Sequence, residues 1–378
     1  MDVDKPATRR RARRRPTGPD RVSARDVARH AGVSVATVSR VLNASGPVAD
    51  KVRRQVVAAI EILGYTPNAA ARALVRSRSE TIGAVVPTLE NASFAIAVEA
   101  LQARLRTAGY TLLLASSGYD SANESTQVRT LLTRGVEGVV VVGGSHHAEI
   151  EQLCAARGVP LVQTWTLRPD AVCVGFDNRA VGRQLADYLL DLGHRHVGVI
   201  AGVTRGNDRA AARVAGIAEA LAARGLALAR EHLIERPYRI AEGQIGLRAL
   251  LASEPRPTAV ICGNDLLAFG ALLEARKHGI AVPGELSIAG IDDLEFAAEL
   301  DPPLTTLRVP AAEIGRRSAE YLIDRLEGRT VATVTEVATS LIVRGSTAPA
   351  PTFTLPKSAT LPKSTGPQPA GPNQGDDR

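Results

Sequence analysis

Apolar positions between residues 22 and 64 recur at helical spacing in three short blocks. Val27, Ala28 and Ala31 make the first stripe, opened by Ser23 with Asp26 three residues on, a variant of the capping box, and closed by Gly32. The second block starts at Ser34, a good N-cap, and runs through Val38, Val41 and Leu42 to Asn43. Val52, Val56, Ala59, Ile60 and Leu63 form the third, which stops at Gly64. Two short helices joined by a Gly-containing turn, with a third behind them, is a helix-turn-helix plan. Its core takes Val38, Val41 and Leu42, leaving Ser34, Val35, Ala36, Thr37 and Arg40 on the outer, N-terminal surface of the second helix, where such motifs meet base edges. Arg40 can fork onto guanine O6 and N7, while Val35 and Ala36 offer apolar contact only. A plain three-helix bundle with a solvated polar face would show the same spacing.

Past residue 80 the pattern changes. Apolar runs at 82–86, 111–115, 138–142, 161–163, 172–175, 197–201, 259–262 and 287–291 read as buried strands. Helical patterns at 95–108, 180–192 and 210–224 lie between them, ending in Gly109, Gly193 and Gly225. Strands alternating with helices predict an α/β fold with parallel sheets. Around ten such units favour two lobes with a ligand cleft at the C-terminal strand ends.

Charge sharpens this division. The 378-residue chain carries a net +7, but its first 80 residues hold 17 Lys and Arg against 7 Asp and Glu, and the rest is net −3. A basic head on a near-neutral body points to a polyanion, nucleic acid or a membrane surface. The run Arg9-Arg10-Arg11-Ala12-Arg13-Arg14-Arg15 reads as a disordered arm for phosphate contact. Cys154, Cys173 and Cys262 lack paired or metal-type spacing, which fits a reducing cytoplasm. No stretch approaches the ~18 apolar residues of a membrane span, and the N-terminus lacks a signal-peptide core.

Asp26-Val27-Ala28, Ala31-Gly32-Val33-Ser34, the run from Thr37 to Asn43, and Gly64-Tyr65-x-Pro67-Asn68-x-x-Ala71-Arg72-x-Leu74 together resemble the head of the lactose-repressor (LacI) family. The resemblance implies that the second helix enters the major groove and that Ser39, Asn43, Tyr65, Asn68 and Ala71 join the DNA-facing set. It also implies a hinge helix from Asn68 to Leu74, with Leu74 wedged into the central minor-groove step. Pro67 near a helix start and the run Ala69-Ala70-Ala71 agree with a hinge. Ala49 stands where the family often has a Ser cap, so Asp50 is the expected substitute. For the body, the family implies a periplasmic-binding-protein-like fold crossing between lobes near Asp177, Leu307 and Val331.

Candidate effector contacts are Phe94, Gln163, Trp165, Asp177, Asn207, Arg213, Asn264, Asp265 and Asp292. Arg213, Asn264 and Asp292 match family positions that hydrogen-bond the effector. An arginine fork with an amide and a carboxylate suits hydroxyls, diols or an acid. Asp177 and Asp292 would equally serve as caps or turn residues. Trp165 and Gly175-Phe176-Asp177-Asn178 resemble the gluconate-repressor-like branch, although Gln163 and Thr166 replace its usual acids. The expected effector is a small sugar, polyol or sugar acid, leaning to an acid.

The first strand, Ile82-Gly83-Ala84-Val85-Val86-Pro87, carries no GxGxxG, and no Walker A or Gly-x-Ser-x-Gly elbow occurs. His146-His147 and His194-Arg195-His196 are expected to be structural. No cofactor or metal is expected. Near-repeats at 354–358 and 360–364 in a Pro-, Ser- and Thr-rich end predict disorder. The expected order is thus an arm (1–21), a helix-turn-helix domain (22–67), a hinge (68–80), an effector-binding and dimerisation domain (81–346) and a tail (347–378). Without a leucine-rich tail, a homodimer on pseudo-palindromic operator DNA is expected. The alternatives are an α/β enzyme with an appended DNA-binding head and a sugar-binding transport component.

Overall fold

The computed structural model describes residues 22–43, 46–66, 78–146 and 148–351. The chain divides into two compact units, Met1–Glu80 and Thr81–Arg378. Asn68, Ala71 and Leu74, the arginine run, His147 and residues 352–378 lie outside the described residues.

In the first unit, α1 (Ala24–His30) begins with a reciprocal capping box between Ser23 and Asp26. Helix α2 (Val35–Asn43) follows Ser34, whose Oγ accepts the Thr37 N–H at 3.1 Å. The third helix, α3 (Asp50–Leu63), corrects one expectation. Ala49 occupies the N-cap without a side-chain bond, and Asp50 lies inside the first turn. There its charge can favour the helix dipole, but it does not cap. Val27, Ala28, Val38, Val56 and Ala59 form the buried core of this unit.

In the second unit, β1 (Thr81–Val86), β2 (Thr111–Ser116), β3 (Gly138–Val142), β4 (Leu161–Thr164), β5 (Cys173–Gly175) and β11 (Val334–Glu336) form one parallel sheet, in the order β11-β5-β4-β3-β1-β2. A second sheet joins β6 (Val197–Ala201), β7 (Leu233–Glu235), β8 (Ala259–Cys262), β9 (Ser287–Asp292), β10 (Thr305–Arg308) and β12 (Ser340–Ile342), in the order β12-β10-β9-β8-β6-β7. Only β12 runs antiparallel to its neighbour. Helices α4 (Ala92–Thr107), α5 (Ser121–Thr133) and α6 (Ala148–Ala156) connect strands of the first lobe. Helices α7 (Asn178–Asp191), α8 (Asp208–Ala223), α9 (Ile240–Leu251) and α10 (Asp265–Lys277) do so in the second, and α11 (Ala311–Leu326) returns to pack on α4.

The first two crossings fall between β5 and α7 and between β10 and α11, close to Asp177 and Leu307. The third comes later than Val331, between β11 and β12, because the chain first adds β11 to the first sheet. Strands β7, β10, β11 and β12 were not in the apolar pattern. They are three or four residues long with mixed burial.

Two helices meet backbone to backbone. A Cβ on Gly182 of α7 would overlap the Arg213 carbonyl, and one on Gly216 of α8 would overlap that of Arg179. This close approach brings Arg213 beside Asn178.

The tail boundary at 347 is also corrected. Ser346 Oγ donates to the Ile288 carbonyl at 2.6 Å, His194 Nε2 meets the Ala348 carbonyl at 3.0 Å, and the Ala350 N–H donates to Leu192 at 2.8 Å. Residues through 350 are thereby bonded to the second lobe. Burial lowers the His194 pKa from the ordinary imidazole value, opposed by the hydrogen bond to the Ala348 carbonyl.

Candidate functional site

On α2, Ser34, Val35, Ala36 and Arg40 are exposed, Val35 to 44%. A bare valine at a helix N-terminus has no packing role here and is available for apolar contact. Ser34 Oγ and Thr37 Oγ1 are 2.9 Å apart, and Asn43 Nδ2 donates to Ser39 Oγ at 3.2 Å. Tyr65 is half-buried against the head's core.

Between the lobes lies a chamber of about 20 Å³ lined by Asn91, Ser93, Phe94, Tyr119, Trp165, Arg209, Arg213, Tyr238, Asn264 and Asp292. Phe94, on the first turn of α4, meets Trp165 edge to face with centroids 5.1 Å apart. Trp165 leaves β4 at φ +59°, a left-handed backbone that turns its indole into the chamber. Such strain is characteristic of functional positions. Asn178 Nδ2 donates to the Trp165 carbonyl at 2.8 Å, and Asn178 Oδ1 accepts from Arg213 Nε at 2.9 Å. Arg213 Nη1 also donates to the Gly263 carbonyl at 2.8 Å.

Two polar atoms in the chamber are left over. Asn264 caps α10 through Oδ1, which accepts the Leu267 N–H at 3.0 Å, while its buried Nδ2 has no partner. Asp292 Oδ2 is likewise buried and unpartnered. Burial raises the Asp292 pKa to about 6, opposed by the Arg213 guanidinium and by Ser93 and Asn91. A donor and an acceptor left over in the lining of one chamber suit ligand hydroxyls, which can accept from the amide and donate to the carboxylate.

Other candidates lie elsewhere. Asp265 is fully buried and takes the Leu294 N–H at 2.8 Å and the Thr306 hydroxyl. It braces the Asp292 turn and does not reach the chamber. Burial and the nearby Asp292 hold its pKa well above the usual carboxylate range, against the Thr306 and Leu294 hydrogen bonds. Gln163 is buried with Nε2 donating to Glu151 at 3.0 Å. Asp177 caps α7 and borders a separate 420 Å³ cavity with Thr166, Arg168, Asp208 and Arg209. Asn207 caps α8 and lines a 500 Å³ outer groove.

Tyr119, Arg209 and Tyr238 were missed as chamber residues. Arg209 lies on α8 between the candidates Asn207 and Arg213. Tyr119 and Tyr238 are in loops that no local pattern marks, one after β2 and the other after the short β7. Their rings meet across the lobes at 6.0 Å. Among the described residues, no group of three His, Cys, Asp or Glu side chains could hold a metal ion, and no helix is long and apolar enough to cross a membrane.

Residues 23–68 match the model for bacterial regulatory proteins of the lacI family, and residues 186–347 match a periplasmic binding protein-like domain. The chain is 34% identical over 332 residues to the HTH-type transcriptional repressor PurR of Erwinia tasmaniensis, covering 86% of this chain and 97% of that protein. It is 33% identical over 305 residues to the ribose operon repressor of Haemophilus influenzae, covering 80% and 91%. The lac repressor dimer bound to operator and the anti-inducer ONPF superposes with a TM-score of 0.78 at 27% identity, covering 87% of this chain and all of that one. These matches span both the helix-turn-helix head and the two-lobed body, and the chain belongs to the LacI family of DNA-binding transcriptional regulators.

Proposed function

We propose that the interlobe chamber is the effector site of a homodimeric repressor, and that the exposed face of α2 reads a pseudo-palindromic operator. Arg40 serves as the base-reading fork, with Ser34, Val35, Ala36 and Thr37 beside it. Asn68, Ala71 and Leu74 would supply the hinge contacts, with Leu74 as the wedge. The single observation that carries the effector reading is the orphaned pair, Asn264 Nδ2 and Asp292 Oδ2, in residues that line the same chamber as Phe94 and Trp165.

The ligand class is a hydroxylated carbon chain or ring: a sugar, a polyol or a sugar acid. Arg213, whose guanidinium donates to Asn178 and the Gly263 carbonyl and to no carboxylate, supports the lean toward an acid, whereas Arg209 is paired with Asp208. Ligand binding changes operator affinity only through unequal affinity for two lobe arrangements. The protein acts as a sensor without turnover.

Calorimetric titration with gluconate, related sugar acids, ribose and other neutral sugars tests the assignment. Saturable heat with an acid, lost in Asp292→Ala, supports it. Heat from neutral sugars alone overturns the lean, and conversion of the bound compound on a catalytic timescale overturns the sensor reading.

A further inference from the structure

Asp292 reaches the chamber on an unusual backbone. It ends β9 at φ +120°, and Asp293 follows at φ +56°. Residues with a Cβ rarely adopt either value, and two in succession persist only where the surroundings hold them. The surroundings here converge on Asp293, whose side chain is 6% exposed. Its Oδ2 accepts from Arg308 Nε at 2.6 Å and its Oδ1 from Arg344 Nη2 at 2.7 Å. Arg308 ends β10 and lies opposite Asp292 in the parallel register of β9 and β10. Arg344 follows β12, where its Nη1 donates to the Leu304 carbonyl at 2.8 Å and its backbone N–H to Thr305 Oγ1 at 2.9 Å. Both cations are thus anchored in the sheet. The Asp293 N–H donates to Thr306 Oγ1 at 3.4 Å, and that hydroxyl donates in turn to Asp265.

Asp293, Arg308 and Arg344 do not line the chamber; Asp292 does. What the two ion pairs fix is the direction of the neighbouring side chain, because a relaxed, negative φ at either aspartate would re-aim the Asp292 carboxylate. We infer that Asp293, gripped by Arg308 and Arg344, is a positioning residue that holds the Asp292 carboxylate in the chamber. An aspartate does this where an asparagine would not. Each carboxylate oxygen accepts from one guanidinium, whereas an amide would turn N–H groups toward one of them. Any contribution to ligand binding rests on the chamber being the effector site. The placement of Asp292 does not.

Trp165 is the only tryptophan and lines the same chamber, so its emission reports on the Asp292 carboxyl as it titrates. The other charged or titratable groups near Asp292 are Arg213 on α8, Asp265 on α10 and Tyr119 after β2. The test follows Trp165 emission of the full-length protein against pH with no ligand added. Wild type is expected to show a transition near pH 6 that is absent in Asp292→Asn. Asp293→Asn keeps a residue that tolerates a left-handed backbone and removes only the charge and one acceptor. Its midpoint is expected to fall to about 4, the ordinary aspartate range, as the Asp292 carboxyl leaves its buried place. Arg308→Met acts from an exposed side chain and is expected to move the midpoint the same way by less, with Arg308→Lys restoring it. Circular dichroism melting identifies any variant that fails to fold, and Arg308→Met keeps the test open if Asp293→Asn does. A midpoint unchanged in the folded variants overturns the assignment, as does a wild-type curve with no transition near pH 6. Calorimetric titration with gluconate reads the binding side, where Asp293→Asn is expected to raise Kd about tenfold. Failure of gluconate to bind wild type would overturn the acid reading of the effector and leave the pH result standing.

Discussion

Asn178 holds Arg213: its Oδ1 accepts the guanidinium Nε at 2.9 Å while its Nδ2 is bonded to the Trp165 carbonyl. One buried amide at the start of α7 therefore fixes both a cation and an aromatic of the chamber. Replacing Asn178 with Ala leaves Arg213 Nε and a buried carbonyl without their partners. A stability loss of about 1–3 kcal/mol is expected in urea unfolding, with a shifted Trp165 emission maximum in the folded variant.

Gly182→Ala tests the helix contact behind that arrangement. The added Cβ meets the Arg213 carbonyl, which is backbone and has no rotamer to yield. The expected cost is about 1–3 kcal/mol by thermal or urea unfolding, with weakened ligand binding because α8 carries Arg213 away from Asn178.

Glu124 provides a test in pH. Burial raises its pKa to about 7 despite the nearby Arg209. Its neutral form is the one the folded state favours. That contribution is fully present below the ordinary glutamate range and is lost as pH rises through about 7. Glu124→Gln should therefore stabilise the protein by about 1–3 kcal/mol near pH 8 and by nothing near pH 4, read from urea midpoints at both.

Asp292 gives the opposite sign for ligand binding. Its Oδ2 is the unpartnered acceptor, and the carboxylate gains a proton as pH falls through about 6. Affinity for a hydroxylated ligand should drop across that range, and the drop should disappear in Asp292→Asn. Isothermal titration at successive pH values measures both.

On the DNA side, Arg40→Ala should weaken specific operator binding by about 1–3 kcal/mol and relax the choice at one base pair, with non-specific binding little changed. Binding to a set of operator variants by fluorescence anisotropy separates those effects.

Local signals made the head legible. Ser23 with Asp26, the turn at Gly32 and the stop at Gly64 each act within a few residues. The long apolar strands were equally clear. The chamber was less so, because Asp177, Asn207 and Asn264 all follow strand ends and all cap helices. A cap and a ligand contact look alike in sequence there. Only packing distinguishes Asn264, whose amide nitrogen is left over, from Asp265 next to it, whose oxygens are taken by Leu294 and Thr306. Tyr119 and Tyr238 became visible only when two lobes distant in sequence were brought together.

Control of the head by the chamber between the lobes, as proposed, couples two signals. Trp165 emission and operator affinity, followed together in one titration with the acids and sugars that give calorimetric heat, test it most directly. Both signals are expected to change with the same midpoint, and Asp292→Ala to abolish both. A ligand that altered operator affinity while Trp165 emission stayed constant would contradict it.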